Sequence, residues 1–148
     1  MKVILGSDHA GIAGRKEAVR LLRERGWEVQ ELGPEGDSEK ADYPDIAHQI
    51  AQSVTSSESE MGVLVCGTGQ GMAMTANRYR GARAAVITDP FTAEMSRAHN
   101  DANIACFGER VVGAETIRQL LAKFLATPFE AGRHMARVDK IDQVIGEA

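Results

Sequence analysis

Cys66 closes a short apolar run, Val63-Leu64-Val65. It is followed at once by Gly67-Thr68-Gly69-Gln70-Gly71 and by Met72-Ala73-Met74-Thr75-Ala76, which is rich in helix formers. Over Met61–Asn77 that order predicts strand, tight loop and helix. It sets a thiol beside backbone N–H groups at a helix N-terminus, a place for an anion or for developing negative charge. The same surroundings favour a thiolate acting as base or nucleophile. A cysteine ending a strand is ordinarily a small buried hydrophobe, and this is the reading for Cys106. The glycines at 67, 69 and 71 give GxGxG rather than GxGxxG, and the loop follows the third predicted strand. Both features count against a dinucleotide site with Asp89 as ribose ligand. The phosphate loop GxxxxGK[ST] is absent, and a cysteine-phosphatase loop would need arginine where Met72 stands. What remains is a row of amides suited to an oxyanion.

Other reactive groups lie at the ends of predicted elements. Asp8-His9 follows the first strand and precedes a helix, where Asp8 is either a helix cap or a site residue. Arg133, His134 and Arg137 place two guanidinium groups four residues apart at the start of a helix. A solvated basic face is the ordinary reading, but two arginines and an imidazole also suit a phosphate monoester. His99-Asn100 ends the helix that begins near Asp89, where a histidine suits the helix dipole. Ten helical residues carry the chain about 15 Å back along the sheet. His99 is therefore expected at the opposite rim from Cys66, and takes part in chemistry there only if a second subunit supplies it. His48 is given no role.

The elements that position these groups alternate. Strands are predicted over Lys2–Gly6, Trp27–Leu32, the run ending at Cys66, Ala82–Thr88 and Asn103–Phe107. Trp27–Leu32 alternates apolar with polar residues and belongs near an edge. Helices are predicted over Ala10–Arg25, from Pro44 with a stripe of Ile46, Ala47, Ile50, Ala51 and Val54, and from Asp89-Pro90 with Phe91, Met95 and Ala98 on one face. A further helix spans Gly113–Ala126, and a last one starts near Arg133 and uses Met135, Val138, Ile141 and Ile145. Gly33–Asp42 is the one long polar loop. The pattern implies a parallel sheet with helices on both faces. Ligands of such sheets bind outside the carboxyl ends of the strands, and the polar groups after strands one, three, four (Thr88-Asp89) and five (Gly108-Glu109-Arg110) collect on that rim. If strands one and three are neighbours, Asp8-His9 faces Cys66 across a crevice. The final helix either covers the domain or reaches a second subunit.

The 148 residues suit one domain, 1–148, with a substantial core. The chain is 43% hydrophobic and 26% charged, which argues against disorder. A net charge of −4 argues against a nucleic-acid binder. No apolar run approaches the roughly 20 residues of a membrane span, and the N-terminal stretch Met1–Asp8 reaches a charge too soon for a signal peptide. Two cysteines, Cys66 and Cys106, suggest no disulfide framework, so a reduced, cytoplasmic protein is expected.

Ser7-Asp8-His9-Ala10-Gly11, Asp42-Tyr43-Pro44, Cys66–Gly71, Ser96–Asp101 and Gly132-Arg133-His134 occur in this order along nearly the whole chain. Together they resemble ribose-5-phosphate isomerase type B, the sugar-phosphate isomerase family that also contains the galactose-6-phosphate isomerase subunits. The resemblance implies a Rossmann-like three-layer αβα sandwich with a five-stranded parallel sheet and a C-terminal helix at the interface of a homodimer, in some members a tetramer. It implies interconversion of ribose 5-phosphate and ribulose 5-phosphate with neither metal nor cofactor. By motif, Cys66 would move the proton between C2 and C1 with help from Thr68, and the amides of Gly67, Gly69 and Gly71 would hold the enediolate oxygen. Asp8 and His99 would open the sugar ring, with His99 and Asn100 coming from the partner. Tyr43 would line the site, and His9, Arg110, Arg133 and Arg137 would bind phosphate. Some members use a glutamate on the helix after the loop in place of the cysteine. That helix has no glutamate here, which favours the thiol. Allose 6-phosphate isomerisation and a non-catalytic sugar-phosphate or nucleotide-binding module are the competing functions.

Overall fold

The computed structural model describes residues 1–36, 39–143 and 146. Five strands, β1 (Lys2–Ser7), β2 (Glu28–Leu32), β3 (Met61–Cys66), β4 (Ala84–Val86) and β5 (Ile104–Gly108), form one sheet in the order β2-β1-β3-β5-β4. Every pairing is parallel. The helices are α1 (Ile12–Glu24), α2 (Tyr43–Thr55), α3 (Gln70–Ala76), α4 (Pro90–Ala98), α5 (Glu109–Val112), α6 (Ala114–Ala126) and α7 (Met135–Ile141).

The middle strands are near-continuous apolar runs because both of their faces are covered. Odd-numbered residues Val3, Leu5, Val63, Val65, Ala105 and Phe107 pack with Ala18 and Leu22 of α1 and with Ile117, Leu121 and Phe124 of α6. Even-numbered Ile4, Leu64, Cys66, Ile104 and Cys106 pack on the other side, against Ile46 and Ile50 of α2 and Met72 and Ala76 of α3. This is the expected αβα sandwich, with β2 at an edge.

Three local expectations change. The fourth strand is short, Ala84–Val86: before it the Arg83 amide donates to the Asn103 side-chain Oδ1, and the Ile87 amide makes the last ladder bond, to the Cys106 carbonyl of β5. Phe91 does not share the buried face of α4. It is 70% exposed, and the packed residues are Ala93, Ser96 and Ala98. In α7, Val138 is buried while Met135 and Ile141 are exposed; Ile145 lies outside the described residues, as do positions 37 and 38 of the long loop. Asp89 caps α4 as expected, accepting from the Thr92 amide at 2.7 Å.

Arg15 is a residue that apolar periodicity passes over. It sits on the packed face of α1, only 1% exposed. Its Nε donates to Glu31 Oε2 at 2.9 Å, Nη1 to Ser7 Oγ at 2.9 Å, and Nη2 to the Pro34 carbonyl at 2.6 Å. One guanidinium thus joins the carboxyl ends of β1 and β2 to the loop that leads to Tyr43. An uncompensated buried charge or acceptor is costly. Arg15→Met is expected to lower stability by about 3 kcal/mol, the low end for breaking a buried pair, because Glu31 is partly exposed. A urea unfolding curve checks this, and a loss below about 1 kcal/mol would show that water replaces the guanidinium.

Candidate active site

The chain direction across the sheet reverses between β1 and β3. β1 leads outward to β2, and β3 leads to β4 and β5 on the other side. Such a switch point opens a crevice at the carboxyl ends of the strands. Ser7 pairs level with Val65, so the residues that follow, Asp8 and Cys66, meet across it. Gly11 makes the approach feasible: a Cβ there would lie 2.6 Å from the Val65 carbonyl oxygen. The resulting cleft, about 260 Å³, is lined by Asp8, Tyr43, Cys66, Gly67, Thr68, Gly71 and Arg110. A larger hollow of about 580 Å³ between Leu32 and Glu58 contains no cysteine, histidine or arginine.

Each side chain has a local cause. Asp8 is buried and does not cap α1. Its Oδ1 accepts from the Ala10 amide at 2.9 Å, and the cap position is Gly11, without a side-chain bond. The turn bond leaves the second carboxylate oxygen for the cleft. Cys66 is 5% exposed, and its Sγ accepts the Gly69 amide at 3.1 Å. Gly69 therefore serves the sulfur rather than the cleft, with φ +80 at the start of α3. Cys106 is fully buried. Burial, and then its neighbour Cys66, pushes its thiol far above the ordinary range, so it stays neutral. Thr68 Oγ1 accepts from the Gln70 amide at 3.3 Å. Arg110 is held by its own amide, which donates to the Gly67 carbonyl at 3.1 Å, and its side chain runs beside Gly67.

Tyr43 opens α2 and lays its ring over Gly71. A Cβ at position 71 would meet two ring carbons at 2.1 and 2.5 Å and the phenolic oxygen at 2.7 Å. The ring is partly exposed and free to swing, so Gly71→Ala is expected to move Tyr43 out of the cleft and leave the fold intact. Misplacement of one lining group by about 1 Å is expected to lower kcat/KM by roughly 10- to 100-fold. Steady-state kinetics beside a melting curve check this: unchanged kinetics would mean that Tyr43 contributes nothing there.

The other sequence candidates lie elsewhere in this chain. His9 is exposed on the turn after Asp8 and does not line the cleft. His99 caps the C-terminus of α4. Cys66 is level with Gly108, the last residue of β5, while His99 precedes Ile104, the first. The strand between them spans about 13 Å, so His99 belongs to the opposite rim, as helix length had implied. Asn100 lines a separate hollow with Ala84 and Ile141. Arg133 and Arg137 are exposed around the start of α7.

At that opposite rim is a group that motif reading left incomplete. His99 stacks on His134, with centroids 4.2 Å apart and planes at 15°. Glu130 Oε2 lies 3.4 Å from His134 Nε2 and 3.7 Å from His99 Nε2. Burial first, then His99 and Arg133, holds the His134 imidazole below its usual pKa, with Glu130 opposing. Glu130 gave no signal in the sequence beyond an acid in a loop.

A sequence model of the Ribose/Galactose Isomerase family matches residues 3–141. The chain belongs to this family. Among its members, ribose-5-phosphate isomerase B of Escherichia coli (strain K12) is 42% identical over 143 residues, covering 97% of this chain and 95% of that one. The structure of Clostridium thermocellum ribose-5-phosphate isomerase B superposes with a TM-score of 0.92 at 44% identity, covering 96% of this chain and 95% of that one. The Thermotoga maritima ribose 5-phosphate isomerase gives 0.91 at 43%, with 97% and 98% covered. As a Ribose/Galactose Isomerase the chain is an enzyme, and its cleft is lined by a thiol, a carboxyl group and the glycine loop.

Proposed function

We propose that residues 1–148 form one sugar-phosphate isomerase domain that interconverts D-ribose 5-phosphate and D-ribulose 5-phosphate, a step of the pentose phosphate pathway. The observation that carries this is the amide-bonded thiol of Cys66 facing Asp8 across the crevice, in a chain 42% identical to a ribose-5-phosphate isomerase B. Isomerisation needs one base beside the carbonyl and fixed donors for the enediolate oxygen. Cys66 thiolate takes the C2 proton, the electron pair moves into a C1–C2 enediolate, the O2 hydroxyl proton passes to O1, and the same thiol returns its proton to C1. Thr68 and the amides of Gly67 and Gly71 hold the developing oxyanion. Gly69 contributes through the sulfur. Tyr43 shapes the wall.

The reading includes a homodimer, or a dimer of dimers, with shared sites. His99 and Asn100 of the partner subunit would complete each cleft, with Asp8 and His99 opening the furanose ring. His9, Arg110, Arg133 and Arg137 would bind phosphate, far enough from C1 and C2 to position the sugar. Exposed Met135 and Ile141 on α7 support burial of this helix against a second chain. No described helix is long and apolar enough to cross a membrane. We place the enzyme in the cytoplasm, without a nucleic-acid partner, metal or cofactor.

The test is turnover of ribose 5-phosphate by purified protein, with and without chelator, beside allose 6-phosphate. The pentose is expected to have the higher kcat/KM and to be turned over unchanged in chelator. No pentose turnover would overturn the function, preference for the hexose would reassign the substrate, and loss in chelator would overturn the metal-free step.

A further inference from the structure

We infer that His99, Glu130 and His134 form a binding site for a late transition-metal cation of the zinc class, and that its occupancy inhibits the isomerase. The segment after α6 folds back onto the end of α4, where the Glu130 amide donates to the Ala98 carbonyl at 3.0 Å. Ala131 follows at φ +57, and the turn Gly132–His134 brings a buried imidazole beside His99. One ligand atom from each of the three residues lies within 4.8 Å of the other two.

The distances suit a small cation. Ligand atoms bound tetrahedrally at about 2.0–2.1 Å stand about 3.4 Å from one another. Glu130 Oε2 is 3.4 Å from His134 Nε2 and 3.7 Å from His99 Nε2. Imidazole lone pairs lie in the ring plane, and the two planes are only 15° apart, so one ring must turn for both to reach one ion. His134 is fixed by burial, whereas His99 is 37% exposed at a helix end, and rotation about the histidine ring bond is soft. Two imidazoles and one carboxylate, with a fourth position for water, is a zinc ligand set; calcium and magnesium prefer all-oxygen sites. Arg133 and Arg137 on the same segment repel a cation and weaken the site without occupying its ligand atoms.

The inhibitory half rests on the reading that His99 serves the active site of the neighbouring subunit. A metal there takes the nitrogen lone pair that ring opening uses and turns the ring from its position. The site is regulatory or adventitious to catalysis, so chelator relieves inhibition and removes nothing the reaction needs.

The decisive experiment measures Zn²⁺ binding to the intact protein by calorimetry, in wild type, Glu130→Gln and Cys66→Ala, and records the visible spectrum with Co²⁺. Expected are one zinc per chain in wild type and Cys66→Ala, at least ten-fold weaker binding in Glu130→Gln, and a cobalt spectrum lacking the thiolate charge-transfer band. No binding, equal binding in Glu130→Gln, or loss in Cys66→Ala would overturn the site. Turnover is read separately: zinc is expected to inhibit wild type, with ten-fold more needed for Glu130→Gln, and chelator to restore the rate. Binding at the three residues without inhibition would overturn the inhibitory half alone. Failure to isomerise ribose 5-phosphate in metal-free buffer would overturn the proposed function and leave the binding result standing.

Discussion

Replacing Cys66 by alanine is expected to remove isomerisation, with kcat lowered on the order of 10³-fold, the middle of the range for a lost general base. The thiol lies between core and cleft: 5% of it is exposed, and Ile4, Leu64 and Met72 belong to the same packed cluster. Loss of one buried sulfur costs about 1–2 kcal/mol and leaves the sheet standing. The Gly69 amide then loses its acceptor, so the loop is expected to loosen locally while Arg110 and the distant arginines keep their places. Two readouts separate chemistry from structure. Ribose 5-phosphate is expected to bind Cys66→Ala about as tightly as wild type, and the ketose incubated in deuterated water is expected to stop exchanging its C1 proton. An alanine protein with near-normal turnover would make the thiol a packing residue and move the proton transfer to Asp8.

The second large effect is expected from His99, and it is recovered between chains. His99→Ala alone is expected to lose roughly 10²-fold in kcat, as for a lost acid–base group. About 13 Å of β5 separates its rim from that of Cys66, and in the proposed dimer the histidine would serve a cleft other than its own. Cys66→Ala and His99→Ala chains, each nearly inactive, are therefore expected to complement when re-paired. Half of the randomly formed dimers are mixed, and each mixed dimer has one cleft with an intact Cys66 and an intact His99. The recovered rate is about a quarter of wild type. If the pair yields no more than its parents, each cleft is built within one chain and the shared-site reading fails.

How far the sequence carried depended on where a residue sits. β1, β3 and β5 were legible because strands covered on both faces must be apolar throughout, and β2 because an edge strand alternates. Asp8, Cys66 and Arg110 were legible because α/β topology gathers whatever follows each strand onto one rim. Even the distance of His99 followed from helix length. Periodicity failed where tertiary bonds override it. Arg15 occupies a position where the pattern expects an apolar residue, and only the convergence of Ser7, Glu31 and Pro34 explains a charge there. Phe91 fits the helical spacing yet points outward. The fourth strand was read too long at its start because Arg83 lies in an apolar stretch but gives its amide to the Asn103 side chain, and at its end because pairing with β5 stops at the Ile87 amide. Glu130 was invisible because its partners, Ala98 and the two histidines, meet only after the chain folds back. The Gly69 amide had been assigned to substrate, since motif spacing counts donors without saying which one the sulfur takes.

The two-sided sheet also decides which changes this lineage can survive. Odd and even residues of β3 feed different cores, so Cys66 reaches its place by parity as much as by position. Deleting one residue within Met61–Val65 would exchange the two sets, driving the thiol toward the α1 and α6 side and valine toward the cleft. Length variation among descendants should therefore gather in the long turn after β2, which lies away from this counting, while the inner strands change letters but never number.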